Sequence, residues 1–144
     1  MDFGFDPPVA FDRVLDEMEV RFTRPSPFVE GRCDRVGNLI LDGRQLSVGV
    51  TQIPEGIMEF SVDSLEDDDL TFLEIPLQIS TARFTQALDE RFIPWADNGK
   101  CGIVLYEHWM TFFDDVGEIK QILWYNRELV TDLELLDIAF PPKR

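Results

Sequence analysis

Asp114, Asp115, Glu118 and Lys120 have the most suggestive chemical spacing in this chain. In Glu118-Ile119-Lys120 an acid and a lysine share one face of a strand. Asp114-Asp115 lies just upstream, across the turn Val116-Gly117, which makes a metal-style pattern. The stretch is too short for a calcium loop, which needs about 12 residues with alternating oxygen ligands. His108 is the one histidine. That removes histidine-rich metal sites and most Ser-His-Asp arrangements. Between Tyr106 and Trp109, it reads as a partly buried structural residue. Cys33 lies among Arg32 and Arg35, whose charge lowers a thiol pKa when close. Cys101 follows Lys100. With no histidine nearby in sequence, both read as ordinary reduced thiols. The glycines form no phosphate loop and no nucleophile elbow.

The E-x-K spacing resembles the core of a broad family of metal-dependent nucleases. The resemblance implies that Asp114 and Glu118 hold Mg²⁺ and that Lys120 stabilises the attacking water. Glu107 is the nearest acid on a preceding strand. The alternative reading is thus a small carboxylate- or Mg-dependent hydrolase using Asp114, Glu118 and Lys120. Charge opposes it. Twenty-eight acids face 13 bases, a net of −15. Such a field repels nucleic acid and anionic membrane, and attracts basic partners. The expectation is therefore no enzyme activity, no cofactor and no metal site.

The elements that position these residues follow from pattern. A length of 144 residues suits one domain, 1–144, with core enough to need no disulfide framework. The start has no basic region and no apolar run, which predicts a cytoplasmic protein without a signal peptide. Asp6 as cap and Pro7 at the first position predict a helix over 8–16. Met18, Val20 and Phe22 then alternate as a strand. Asp42-Gly43 between Leu39-Ile40-Leu41 and Leu46-Ser47-Val48 predicts a type I′ hairpin, with Leu41 opposite Arg44 and Leu39 opposite Leu46. Met58, Phe60 and Val62 predict a half-buried strand, and 70–79 another. Ser80 caps a predicted helix over 81–92 with a stripe of Phe84, Ala87, Leu88 and Phe92. Strands are predicted from Gly102 to Trp109 and from Glu118 to Asn126. Residues 128–137 read as helix or strand. The sum is α+β: a single domain of mostly antiparallel β-sheet with two or three helices packed on one face.

One stretch stands out by charge. Between Arg44 and Arg83 there is no Lys or Arg, yet the window holds Glu55, Glu59, Asp63, Glu66, Asp67, Asp68, Asp69 and Glu74. Alternation puts Glu59 and Asp63 on a solvent face. In size, charge and missing active-site motif the chain is similar to immunity proteins that neutralise cationic toxins, and to phage-encoded mimics of DNA. The leading expectation is a non-enzymatic acidic protein that neutralises or chaperones a basic protein partner. These eight acids would form its face, with Trp95, Trp109 or Trp124 as anchors. Neither nucleic acid nor membrane is an expected partner. A further alternative is an acidic subunit of a stable complex.

Overall fold

A computed structural model describes residues 1–63, 65, 69–99 and 101–130. Strands hold 49% of the described residues and helices 11%. The expected α+β class therefore gives way to a β-rich fold. Among the described residues thirteen elements follow in order: β1 (Asp2–Phe3), α1 (Val14–Glu17), β2 (Glu19–Pro25), β3 (Cys33–Leu41), β4 (Arg44–Ile53), β5 (Gly56–Asp63), β6 (Thr71–Phe72), β7 (Ile75–Pro76), α2 (Thr81–Glu90), β8 (Ala96–Asp97), β9 (Gly102–Leu105), β10 (Met110–Asp115) and β11 (Glu118–Tyr125). Eight strands form one antiparallel sheet in the order β2-β3-β4-β5-β11-β10-β9-β8. A small sheet, β1-β6-β7, pairs the amino-terminal strand parallel to β6.

The two described helices are shorter than the pattern predicts, for local reasons. Pro8 pushes Pro7 out of the helical region, since a residue before proline avoids it. The chain first turns at Ala10, whose carbonyl accepts from the N–H groups of Arg13 (3.0 Å) and Val14 (3.1 Å). It leaves the helix at Met18, already extended at ψ 149°. Of the predicted helix over 8–16 only Val14, Leu15 and Asp16 are helical, with Glu17 added at the end. The helix after Ser80 forms as expected, with the Ser80 hydroxyl accepting from the Arg83 N–H at 3.2 Å. It buries Phe84 and Leu88. Phe92 lies beyond its end at φ +58° and is 92% exposed, so it leaves the predicted stripe. Of the predicted element over 128–137, residues 131–137 lie outside the described ones.

The predicted strand over 70–79 is a two-strand turn instead. Leu73 and Glu74 both take positive φ, 47° and 69°, between the paired residues Phe72 and Ile75. The Asp2 carboxylate holds this turn, accepting from the Thr71 hydroxyl (2.6 Å) and the Glu74 N–H (2.8 Å). The predicted strand from Gly102 to Trp109 stops at Leu105, because Trp109 takes φ +53° and the chain reverses into β10.

The β3–β4 hairpin has the predicted register, Leu41 opposite Arg44 and Leu39 opposite Leu46. Asp42 and Gly43 take φ 50° and 75°, as the turn requires. Leu39, Leu46, Val48 and Val50 are buried on one face. A Cβ at Gly43 would meet nothing within 4 Å. Gly43→Val should therefore cost only the strain of a left-handed backbone, about 1–2 kcal/mol, readable as a modest fall in melting temperature. An unchanged melting temperature would contradict the turn.

The core lies on that inner face of the large sheet. Phe112 of β10 packs against Phe72 (4.9 Å between centroids) and Phe84 (4.8 Å), joining large sheet, small sheet and α2. Trp124 of β11 packs against Phe3 and Phe60, each at 5.9 Å. No helix among the described residues is long and apolar enough to cross a membrane.

Candidate functional site

The outer face of the large sheet carries a polar row. Arg24, Asp34, Thr51, Glu59 and Tyr125 stand opposite one another on five successive strands. The first four border a shallow depression of about 320 Å³, with Ser61, Asp63 and Gln121 farther along. The Thr51 hydroxyl lies 2.9 Å from Asp34 Oδ1 and 3.2 Å from Glu59 Oε2. It has one proton, so it donates to one carboxylate at a time. Burial pushes the Glu59 carboxyl above its usual range. The Arg32 charge and the Thr51 bond oppose that shift, and Asp34 reinforces it. Burial likewise pushes the Tyr125 phenol up to about 12, against a hydrogen bond with Thr111 and with help from Glu59.

Glu59 is thus half-buried, not on an open solvent face. The cause is a bulge: Gln52 pairs with Ile57 but Thr51 with Glu59, leaving Met58 over. Ile57 therefore joins Phe60 and Val62 in the core. Met58 turns to the outer face with Trp109, Leu123, Tyr125 and Val130, correcting the predicted Met58-Phe60-Val62 alternation. A carboxyl whose folded pKa is raised binds its proton more tightly when folded. Its ionisation therefore costs stability as pH rises through the folded value. Glu59→Gln should raise the melting temperature at pH 7, and the gain should vanish below pH 4.5, the unshifted value. Melting curves across that range test this. A destabilised variant at pH 7 would show that the Arg32 and Thr51 contacts outweigh burial.

The structure describes five of the eight acids of the charged window, Glu55, Glu59, Asp63, Asp69 and Glu74, and these five do not share one site. Asp63 accepts from Gln121 Nε2 at 2.5 Å. Asp69 forms a forked ion pair with Arg44, one arm of it 2.7 Å from Nη1 to Oδ1, and this hydrogen bond holds its carboxyl below the usual range. Glu74 is exposed at the β6–β7 turn. Glu66, Asp67 and Asp68 lie outside the described residues. Glu55, at the β4–β5 turn, stands about 26 Å from Asp63, since a strand rises about 3.3 Å per residue.

Glu55 belongs to a different group. With Asp6, Asp12 and Glu128 it rims a groove of about 560 Å³ floored by Pro7, Ala10, Phe11 and Leu129. None of its described lining residues is basic. All four carboxylates are exposed. Asn126 places the Glu128 side. Its Nδ2 donates to the Ile57 carbonyl (2.9 Å), and its Oδ1 accepts from the Glu128 N–H (3.1 Å). Positions 6, 12, 55 and 128 are too far apart for a sequence window to group them. The one local signal is Asn126, whose side chain can cap its own turn.

The metal-style residues are drawn into other contacts. Lys120 Nζ lies 3.0 Å from Glu118 Oε2, and Asp114 Oδ2 accepts from the Thr81 hydroxyl at 3.0 Å. Among the described residues no three of His, Cys, Asp or Glu converge to hold a metal. The His108 ring stacks on Phe5 at 3.6 Å. Burial, then the Arg127 charge, pushes its pKa down, with Glu107 opposing. Trp124 is buried. Trp109 donates to the Val130 carbonyl at 2.8 Å beneath the Arg127 guanidinium, and Trp95 donates to Asp89 at 2.8 Å. Among the described residues the aromatic rings that do face solvent are Phe22, Phe28, Phe92 and Tyr106. Comparison finds no matching family model, no matching curated protein and no matching solved structure.

Proposed function

We propose that this protein is a non-enzymatic binder of a basic protein partner, acting in the cytosol in the manner of an immunity protein. The acid-rimmed groove carries the reading. Four exposed carboxylates surround an apolar floor with no basic neighbour among the described lining residues. A lysine or arginine side chain suits such a place, because its aliphatic stem lies on the apolar floor while its charge meets the rim. The net charge of −15 would steer a cationic protein toward it. The two cysteines are free thiols, which fits a reducing compartment. The acidic window contributes Glu55 to this site and otherwise adds to the long-range field.

The test is comparative capture from a native lysate, identified by mass spectrometry. The wild-type chain is set against one carrying Asp6→Asn, Asp12→Asn, Glu55→Gln and Glu128→Gln. A basic protein should be retained by the wild type and lost, or weakened by about tenfold or more, with the variant. Its association should slow as salt rises past about 0.15 M, where screening reaches about 8 Å. An Asp63→Asn control should bind like the wild type. Equal retention by the groove variant, or an acidic partner, would overturn the reading.

A further inference from the structure

The depression on the outer face of the large sheet opens into a gap over Gly49. The row Val36, Gly49, Ser61 and Leu123 crosses β3, β4, β5 and β11 there, each residue opposite the next. Gly49 has no side chain to fill its place in the row. A Cβ on it would lie 3.1 Å from Ser61 Oγ and 3.7 Å from Asp63 Oδ2, so both oxygens face the gap. Ser61 is only 7% exposed, lines the depression and makes no side-chain hydrogen bond among the described residues. A hydroxyl this buried is ordinarily paired. Asp63 is committed through one oxygen alone. Its Oδ1 accepts from Gln121 Nε2, which leaves Oδ2 toward the gap. Two oxygens therefore converge on one point of the sheet, and no described residue bonds either.

Charge selects a cation for that point. The carboxylates of Asp34, Glu59 and Asp63 line the depression against one guanidinium on this face, Arg24, a net of −2 when all are ionised. Arg35 does not count toward this face. It is opposite the core residue Val50, so its side chain lies on the inner side, where it donates to Gln52 and Thr23. An alkylammonium group suits the site, because its N–H groups donate and never accept. Its carbon chain finds apolar walls in Val36 and Leu123. A metal ion does not suit it, since among the described residues no three of His, Cys, Asp or Glu converge. A volume of about 320 Å³ is at the lower end of the range for small-molecule sites. Arg24 on β2, with Arg32, whose charge reaches Glu59, opposes a broad basic protein surface. A single small ammonium over Gly49 escapes that repulsion, because β2 lies three strand spacings, about 14 Å, from β5.

We propose that this depression binds a free primary amine, its ammonium seated over Gly49 between Ser61 Oγ and Asp63 Oδ2. The site shares no described lining residue with the groove assigned to a basic partner, so either reading can fail alone.

The probe is n-pentylamine, an ammonium at pH 7, and the readout is the amide NMR spectrum of the isotope-labelled full chain. The Gly49, Ser61 and Asp63 signals should shift saturably in the millimolar range, where small fragments bind. Ser61→Ala and Asp63→Asn should each weaken binding by about tenfold, as loss of a hydrogen bond to a charged group does. Both should melt like the wild type. Alanine removes a hydroxyl with no described partner, and asparagine keeps an oxygen for Gln121. Tetramethylammonium carries the same charge without N–H donors and should leave the three signals unmoved. Glu55→Gln, in the groove, should bind pentylamine as the wild type does. Nα-Acetyl-lysine methylamide presents the same ammonium as a protein side chain and should bind no more tightly than pentylamine. Tighter binding of the lysine amide would overturn the free-amine assignment. So would the absence of saturable shifts at these amides, an equal response to tetramethylammonium, unchanged affinity in either site variant, or equal weakening by Glu55→Gln.

Discussion

Phe112→Ala should lower stability by about 3–5 kcal/mol, the range for deleting a buried phenylalanine. Phe112 is fully buried and meets Phe72 of β6 and Phe84 of α2 through its ring. Those two rings are themselves 6.4 Å apart, so the three form one cluster. Alanine removes the member on which both others rest. The small sheet and the helix cannot both close the gap, because β6 is tied to the amino terminus through β1 and α2 is fixed at its start by the Ser80 cap. A cavity therefore persists and adds to the transfer cost. A domain of this length loses about 2–4 °C per kcal/mol, so the melting temperature should fall by about 10 °C. A fall of under about 3 °C would mean that the aromatic cluster does not join the two sheets.

The contrast between legible and hidden features has a physical origin in range. The β3–β4 hairpin was legible because two signals within a dozen residues agree: Asp42-Gly43 selects the turn, and the alternation of Leu39, Leu41, Leu46 and Val48 selects the register. Ser80 and the Phe84–Leu88 stripe were legible for the same reason. The β6–β7 turn was hidden because Leu73 and Glu74 take left-handed angles without glycine or asparagine. What holds them is Asp2, about 70 residues earlier. The bulge at Met58 was hidden because an extra residue in β5 leaves the local alternation looking regular. The candidate groove was hidden most completely. Its acids come from the amino-terminal segment, a hairpin turn and the stretch after β11. The legible run of acids within residues 55–74 contributes, among its described members, only Glu55 to that groove. There Asp69 is matched by Arg44, a base at the very border of the base-free window.

Gly37→Ala should detach or displace β2, the strand that leads into the exposed hairpin tip. Gly37 is opposite Val20, beside the Arg21 bulge. A Cβ at Gly37 would lie 1.8 Å from the Glu19 carbonyl oxygen, 2.8 Å from its carbon and 3.0 Å from Val20 Cα. All three are backbone atoms, so no rotamer change relieves the clash. Among the described residues β2 is an edge strand paired only with β3, so the cheapest response is for it to move away as a unit. Overpacking costs about 1–3 kcal/mol, and the loss here should reach or pass the upper end. Gly43→Ala supplies the control. It lies in the same hairpin, but its added Cβ meets nothing within 4 Å, so it should cost only backbone strain. Hydrogen exchange distinguishes a local from a global effect. In Gly37→Ala the amides of Val20 to Arg24 should lose protection while those of β5 and β11, in the middle of the sheet, keep it. Equal protection of β2 in the two glycine variants would refute the close approach.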